Sequence, residues 1–236
     1  MIWVMLSRFA AGDYRYLAAP GSPFSAGIVA DPGFDLVHAV FFRPVPLWEG
    51  LDAARRHVEA AGRPATALGA FELRIPEPLT RDGFASFNTP YVARMAELGL
   101  AEGDVRVTAR TNVAPTVDGV TEPSLYAFTY TVPGAGRQAA AFRLSGATES
   151  RTDGGDADRL RSIVEELGER MAELGVSWAE TTAINVYGAS GAPADEVAQA
   201  FGAAALHGLT WFPSRPPIDE FQFEIDARGV GTELVI

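Results

Sequence analysis

Apolar residues along this chain alternate between two spacings, and the switch points divide it into strands and helices. In the first half, strand-like runs cover residues 16–18 and 36–42. After them Leu47, Leu51, Ala54, Val58 and Ala61 recur at helical spacing and stop at Gly62. A strand over 70–75 follows, then a second helical run of Phe84, Phe87, Tyr91, Met95 and Leu98 ending at Gly99, then strands over 106–114 and 125–132. The second half predicts a strand over 139–144 and a helix carrying Leu160, Ile163, Val164, Leu167, Met171 and Leu174, with Asp156 as its N-cap and Gly175 as its stop. It closes with a β-rich stretch at 181–187, a helix over 194–206, and extended segments at 209–212 and 221–235.

The two halves share one plan. Aligning the helix stops Gly62 and Gly175, or Arg110 with Arg215, gives offsets of roughly 110 residues, near the usual domain size. The hexamer RMAELG, at Arg94 and again at Arg170, breaks that offset and reads as two helix ends built from the same good helix formers before a Gly stop. The linker falls in the Pro133, Gly134, Ala135, Gly136 stretch.

The final segment, HGLTWFPSRPPIDEFQFEID, carries the clearest chemistry. Arg215 stands before two prolines, and the strand that follows sets Phe221, Phe223 and Ile225 on one face and Gln222, Glu224 and Asp226 on the other. A guanidinium near a carboxylate on a rigid sheet outlines a small-acid site. Arg suits a carboxylate because its planar fork donates two parallel charge-assisted bonds, which Lys cannot match.

Composition narrows the partners. Hydrophobic residues make up 47% of the 236 and charged residues 21%, a globular balance. A net charge of -11 opposes binding along a nucleic-acid backbone, which needs clustered Lys and Arg. Without Cys there is no thiolate nucleophile or thiolate metal site, and His38, His57 and His207 lack ligand spacing, so neither metal nor cofactor is expected. No apolar stretch nears the ~20 residues of a membrane span, and the first residues lack the features of a signal peptide. The expectation is a cytoplasmic protein with a small-molecule carboxylate partner.

Two motifs fail on context. GAGRQA at 134–139 matches a dinucleotide fingerprint but leads into a strand pattern where a phosphate-facing helix is needed. YGASGA at 187–192 lacks the last Gly of a nucleophile elbow, so Ser190 reads as turn chemistry.

With its order of elements and the segments GVSWAETTAINVY and HGLTWFPSRPPIDEFQFEID, the second half resembles the RidA (YjgF-type) family of enamine/imine deaminases. FASFNTPY and ARTNVA extend the likeness to the first half. The resemblance implies an α+β protein of two tandem RidA/chorismate-mutase-like domains, 1–133 and 137–236, each a mixed sheet with two helices packed on one face. It also implies a homotrimer. By family position, Arg215 or Arg110 holds a substrate carboxylate, Asn88 matches the motif Asn, and Glu224 is the acid that positions the attacking water. Neither half is complete: the first has no carboxylate between Leu125 and Val132, and the second has Ala198 where the first has Asn88. Either one half is a scaffold or the site is composite, and the second-half pair Arg215 and Glu224 is the preferred centre.

Two-domain relatives of this kind are similar to 2-aminomuconate deaminases. For such a conjugated substrate Trp211 would supply a flat wall and His207 a polar contact. Two rival readings remain: a non-catalytic carboxylate-binding regulatory module, and an isomerase of the chorismate mutase kind, which would need several cations around a dicarboxylate.

Overall fold

The computed structural model describes residues 6–19, 22–117, 119–134, 140–150, 154–189, 194–202 and 207–236. The first half runs β1 (Leu6–Phe9), β2 (Tyr14–Ala18), β3 (Ser25–Ala30), β4 (Phe34–Pro46), α1 (Leu47–Ala60), β5 (Leu68–Arg74), α2 (Arg81–Glu97), β6 (Ala101–Glu102), β7 (Val105–Arg106), β8 (Ala109–Pro115) and β9 (Ser124–Pro133). The second runs β10 (Phe142–Leu144), β11 (Ala147–Thr148), α3 (Asp156–Leu174), β12 (Ala183–Gly188), α4 (Ala194–Phe201), β13 (Thr210–Arg215), β14 (Phe223–Gly229) and β15 (Thr232–Val235). Among the described residues, thirteen strands join in one mixed sheet, ordered β1-β2-β3-β10-β14-β12-β13-β8-β5-β9-β4-β15 with β11 added on β14. The pairs β5/β8 and β12/β13 are parallel, while β13 meets β8 antiparallel at Arg215↔Ala114.

The helices form where apolar spacing places them, and glycine ends them. Gly62, Gly99 and Gly175 all have positive φ, and at the last (φ 74°) the Gly175 and Val176 N–H groups return to the Ala172 and Met171 carbonyls. Several boundaries differ from the sequence reading. Gly155 rather than Asp156 is the N-cap of α3, with Asp156 in the first turn. Strand β3 is absent from the sequence pattern because all six of its residues are buried, which leaves no period-two alternation to detect. The extended tail splits into β14 and β15 around Gly231, where a Cβ would stand 2.0 Å from an Asp35 carboxylate oxygen. Most of GAGRQA, Ser190 of YGASGA, residues 1–5 and the 203–206 end of the last helix lie outside the described residues. No described helix is long and apolar enough to cross a membrane.

Two apolar cores result. One packs α1 and α2 residues such as Leu51, Val58, Tyr91 and Met95 against β4, β5 and β9. The other packs Leu160, Ile163, Leu167 and Met171 of α3 against β12 and β14. The opposite face of β14 is just as buried, and there the contacts are ionic. Arg143 of β10, 1% exposed, donates to both carboxylate oxygens of Asp226 at 2.7 and 2.8 Å and to Glu72 of β5 at 2.9 Å. Thr111, Asn185 and Tyr187 complete the shell of Asp226, and His38 lies 2.9 Å from Glu72. Burial works against the Glu72 carboxylate, but Arg143 and His38 hold it well below the usual carboxylate range. Burial also lowers Arg143, and the Asp226 and Glu72 carboxylates more than offset this.

Removing Arg143 leaves buried Asp226 without its cation and Glu72 with Arg74 alone, at 3.7 Å, beside His38. Arg143→Met is expected to cost about 3–5 kcal/mol in urea unfolding, the range for a broken buried pair. A loss under about 1 kcal/mol would show that water or a rearranged partner replaces it.

Candidate active site at the junction of the two halves

Arg110 is the second residue of β8, and its backbone is fixed from both sides. Its N–H donates to Ser145 Oγ at 3.0 Å, and its carbonyl accepts from Gly146 N–H at 3.0 Å. Its guanidinium donates to Asn88 Oδ1 of α2 at 2.7 Å and sits over the rings of Phe24 (4.1 Å), Tyr91 (4.9 Å) and Phe84 (5.4 Å). These rings orient the cation without neutralising it. Burial lowers its pKa from the ordinary value, with Tyr91 and Glu224 acting in the opposite sense, and a guanidinium stays charged throughout.

Glu224, near the start of β14, shares with Arg110 a cavity of about 400 Å³. Its carboxyl is 3% exposed and accepts from the Asn112 N–H at 3.3 Å. Burial, with repulsion from Asp226, pushes its pKa up to about 8 against the pull of the Asn112 N–H, Arg110 and Arg74. At neutral pH it is therefore mostly a carboxylic acid, able to donate. Gly146 makes room for it: a Cβ there would lie 1.8 Å from Glu224 Oε1. The loop after β13 roofs the cavity with Pro217, Ile218 and Phe221, and is pinned to the segment leading into α2 by Leu79 N–H to Pro217 O (2.8 Å) and to α2 by a two-pronged Arg81–Glu220 pair.

Of the residues singled out in the sequence, Arg110, Asn88 and Glu224 come together. Arg215, Trp211 and His207 do not line this cavity. Arg215 donates to the Asp219 carbonyl at 2.9 Å and so holds the turn that follows β13. Arg110 pairs with Phe71 across β5/β8, Trp211 with Val186 across β12/β13, and Arg215, the last residue of β13, with Ala114 of β8. Trp211 packs edge-on against Phe223 at 6.1 Å, and His207 is exposed.

Gly146 and Asn112 escaped the sequence reading, and Arg170 was read there only as part of a helix end. Period-two alternation in ARTNVA does put Asn112 on the face of Arg110, and that signal was available. Asn112 is 3% exposed, and neither its side-chain nitrogen nor oxygen has a hydrogen-bond partner among the described residues.

A raised carboxyl couples to stability with a definite sign. The folded state holds the Glu224 proton up to about pH 8, whereas an unfolded Glu releases it near ~4.3, so this group's contribution is full below ~4.3 and is lost as pH rises toward 8. Glu72, held low, acts oppositely and only as pH falls below ~4.3. Urea unfolding at several pH values between 5 and 8 should show Glu224→Gln gaining stability over wild type as pH rises. A difference that does not change with pH would place the Glu224 pKa near its ordinary value.

The family described as 2-aminomuconate deaminase CnbZ matches residues 6–234. The 2-amino-5-chloromuconate deaminase of Comamonas testosteroni is 36% identical over 250 residues, spanning 97% of this chain and 98% of that protein. Among solved structures, a chorismatase aligns over 87% of this chain and 77% of its own at 11% identity, with a TM-score of 0.54, a likeness of fold alone. A YjgF/YER057c/UK114-family protein from Mycobacterium tuberculosis aligns over 40% of this chain and 82% of its own at 20% identity and a TM-score of 0.32.

Proposed function

Because the chain belongs to the 2-aminomuconate deaminase family, we propose that it hydrolyses the C–N bond of a 2-aminomuconate-like enamine acid and releases ammonia. The reaction site in this proposal is the cavity shared by Arg110 and Glu224, with Asn88 holding the Arg110 guanidinium. In the same reading, the chain is two tandem RidA-like domains, 1–133 and 137–236, and the site is composite: the first supplies Arg110 and Asn88, the second Glu224. The matching order of parallel pairs, β5/β8 and β12/β13, supports that division.

The observation that carries the reading is a carboxyl pushed up to about 8 in one cavity with an aromatic-boxed guanidinium. Arg110, steadied by Asn88, takes the substrate carboxylate next to the amino-bearing carbon. The Glu224 acid protonates the enamine carbon, giving an iminium, and its carboxylate then takes a proton from the water that attacks C2. Returned to nitrogen, that proton lets ammonia leave, while the new hydroxyl gives its own proton to Glu224 as the carbonyl forms. The sum is enamine plus water to 2-oxo acid plus ammonia. The catalyst is restored.

Positioned proton transfer of this kind contributes about 10²–10⁴-fold, so Glu224→Gln should lower kcat by that order in ammonia-release assays. Wild-type kcat/KM should fall as pH rises past about 8, when the acid ionises. Arg110→Lys should lower kcat/KM by roughly tenfold or more, since the ammonium lacks the fork. Arg215→Lys separates the cavity from the alternative centre: near-wild-type turnover supports Arg110, and loss of turnover with an intact fold supports Arg215.

A further inference from the structure

We propose that Arg170 is a second carboxylate anchor, so that the cleft selects ligands bearing an acid group at each end of a flat chain. This rests on the reading of the Arg110 cavity as the substrate site and assigns its far end. A second hollow of about 220 Å³ adjoins the first, and the two share Arg110, Gly146 and Arg170. They form one cleft, with a guanidinium bordering both parts on either strand or helix side: Arg110 from β8 and Arg170 from α3.

The strip between is kept bare, because any side chain at Gly146 would run into the Glu224 carboxyl. Phe84, Ile218 and Phe221 give the larger hollow the apolar surface that a conjugated chain would lie against.

Arg170 is held in place yet not used up. It donates from Nη1 to the Ser145 carbonyl at 3.2 Å and from Nη2 to Glu166 four residues earlier. A guanidinium has five N–H donors, so these bonds leave others for a ligand. The Arg170–Glu166 pair is partly buried, at 19% and 35% exposure, and both side chains line the larger hollow, so an incoming carboxylate can reach the guanidinium there. The other acid nearby, Glu149, is occupied by the Gln222 and Phe223 N–H groups and by Arg159, which limits its repulsion of an anion. Arg94, in the same hexamer on α2, instead pairs with Asp52 and Glu97 on the surface.

The test uses two unreactive ligands with the same six-carbon diene: muconate, with two carboxylates, and sorbate, with one. Calorimetric titration of the full chain should find muconate bound about tenfold or more tighter than sorbate, the worth of one good charge-assisted contact. Arg170→Gln should shrink that ratio to about twofold while sorbate affinity holds, and Arg170→Lys should retain part of it, charge without the fork. Arg110→Gln should weaken both ligands.

A wild type without the preference, a ratio that survives Arg170→Gln, or equal weakening of both ligands by that variant overturns the assignment. Failure of the deaminase reading looks different: no ammonia from 2-aminomuconate, with the Arg170-dependent preference intact.

Discussion

The fold closes around the way one buried arginine, Arg143, is shared among the carboxylates at the buried face of β14. That strand carries Glu224 and Asp226 on one side, both buried, with Glu224 at the wall of the cavity. Arg143 reaches Asp226 with two bonds and spends its remaining reach on Glu72. Among the described residues Glu224 receives one long backbone hydrogen bond and no direct ion pair. A carboxyl so placed keeps its proton, because ionising it would put a charge in a poorly solvating site beside the Asp226 charge already there. The structural pair and the chemical acid are thus two outcomes of one strand. Which residue becomes which is decided by where Arg143 points.

The same strand joins the two halves. Asp226 is gripped from β10, β8 and β12, and Glu224 takes its hydrogen bond from β8. The cavity therefore lies at a seam whose walls come from α2, β8, the segment after β10, α3 and the loop before β14. Arg110 is oriented by rings from the first half and by Ser145 and Gly146 of the second. A site built on strands and helix flanks in this way keeps its polar groups aimed before any ligand arrives, which is what electrostatic help to a reaction requires.

Much of the architecture was legible in the sequence, and the reasons are local. The apolar stripes of α1, α2 and α3 and their glycine stops lie in contiguous residues, so periodicity found them. Strand β3 hid because burial on both faces erases alternation. The pairing of Arg215 with Glu224 looked natural because the two are close in sequence, yet the turn after β13 points Arg215 toward the Asp219 carbonyl. Arg110 and Glu224 are over a hundred residues apart, and no local pattern reports such a meeting. Gly146 was likewise invisible, since its importance lies in a carboxyl arriving from β14.

The central claim is that Glu224 is a neutral acid at physiological pH. Difference infrared titration of wild type against Glu224→Gln, following the protonated carboxyl stretch, addresses it directly. The account predicts one carboxyl that is present in wild type, missing in the variant and titrating near pH 8. A Glu224 signal that has already vanished by about pH 5, as for an ordinary glutamate, would contradict it.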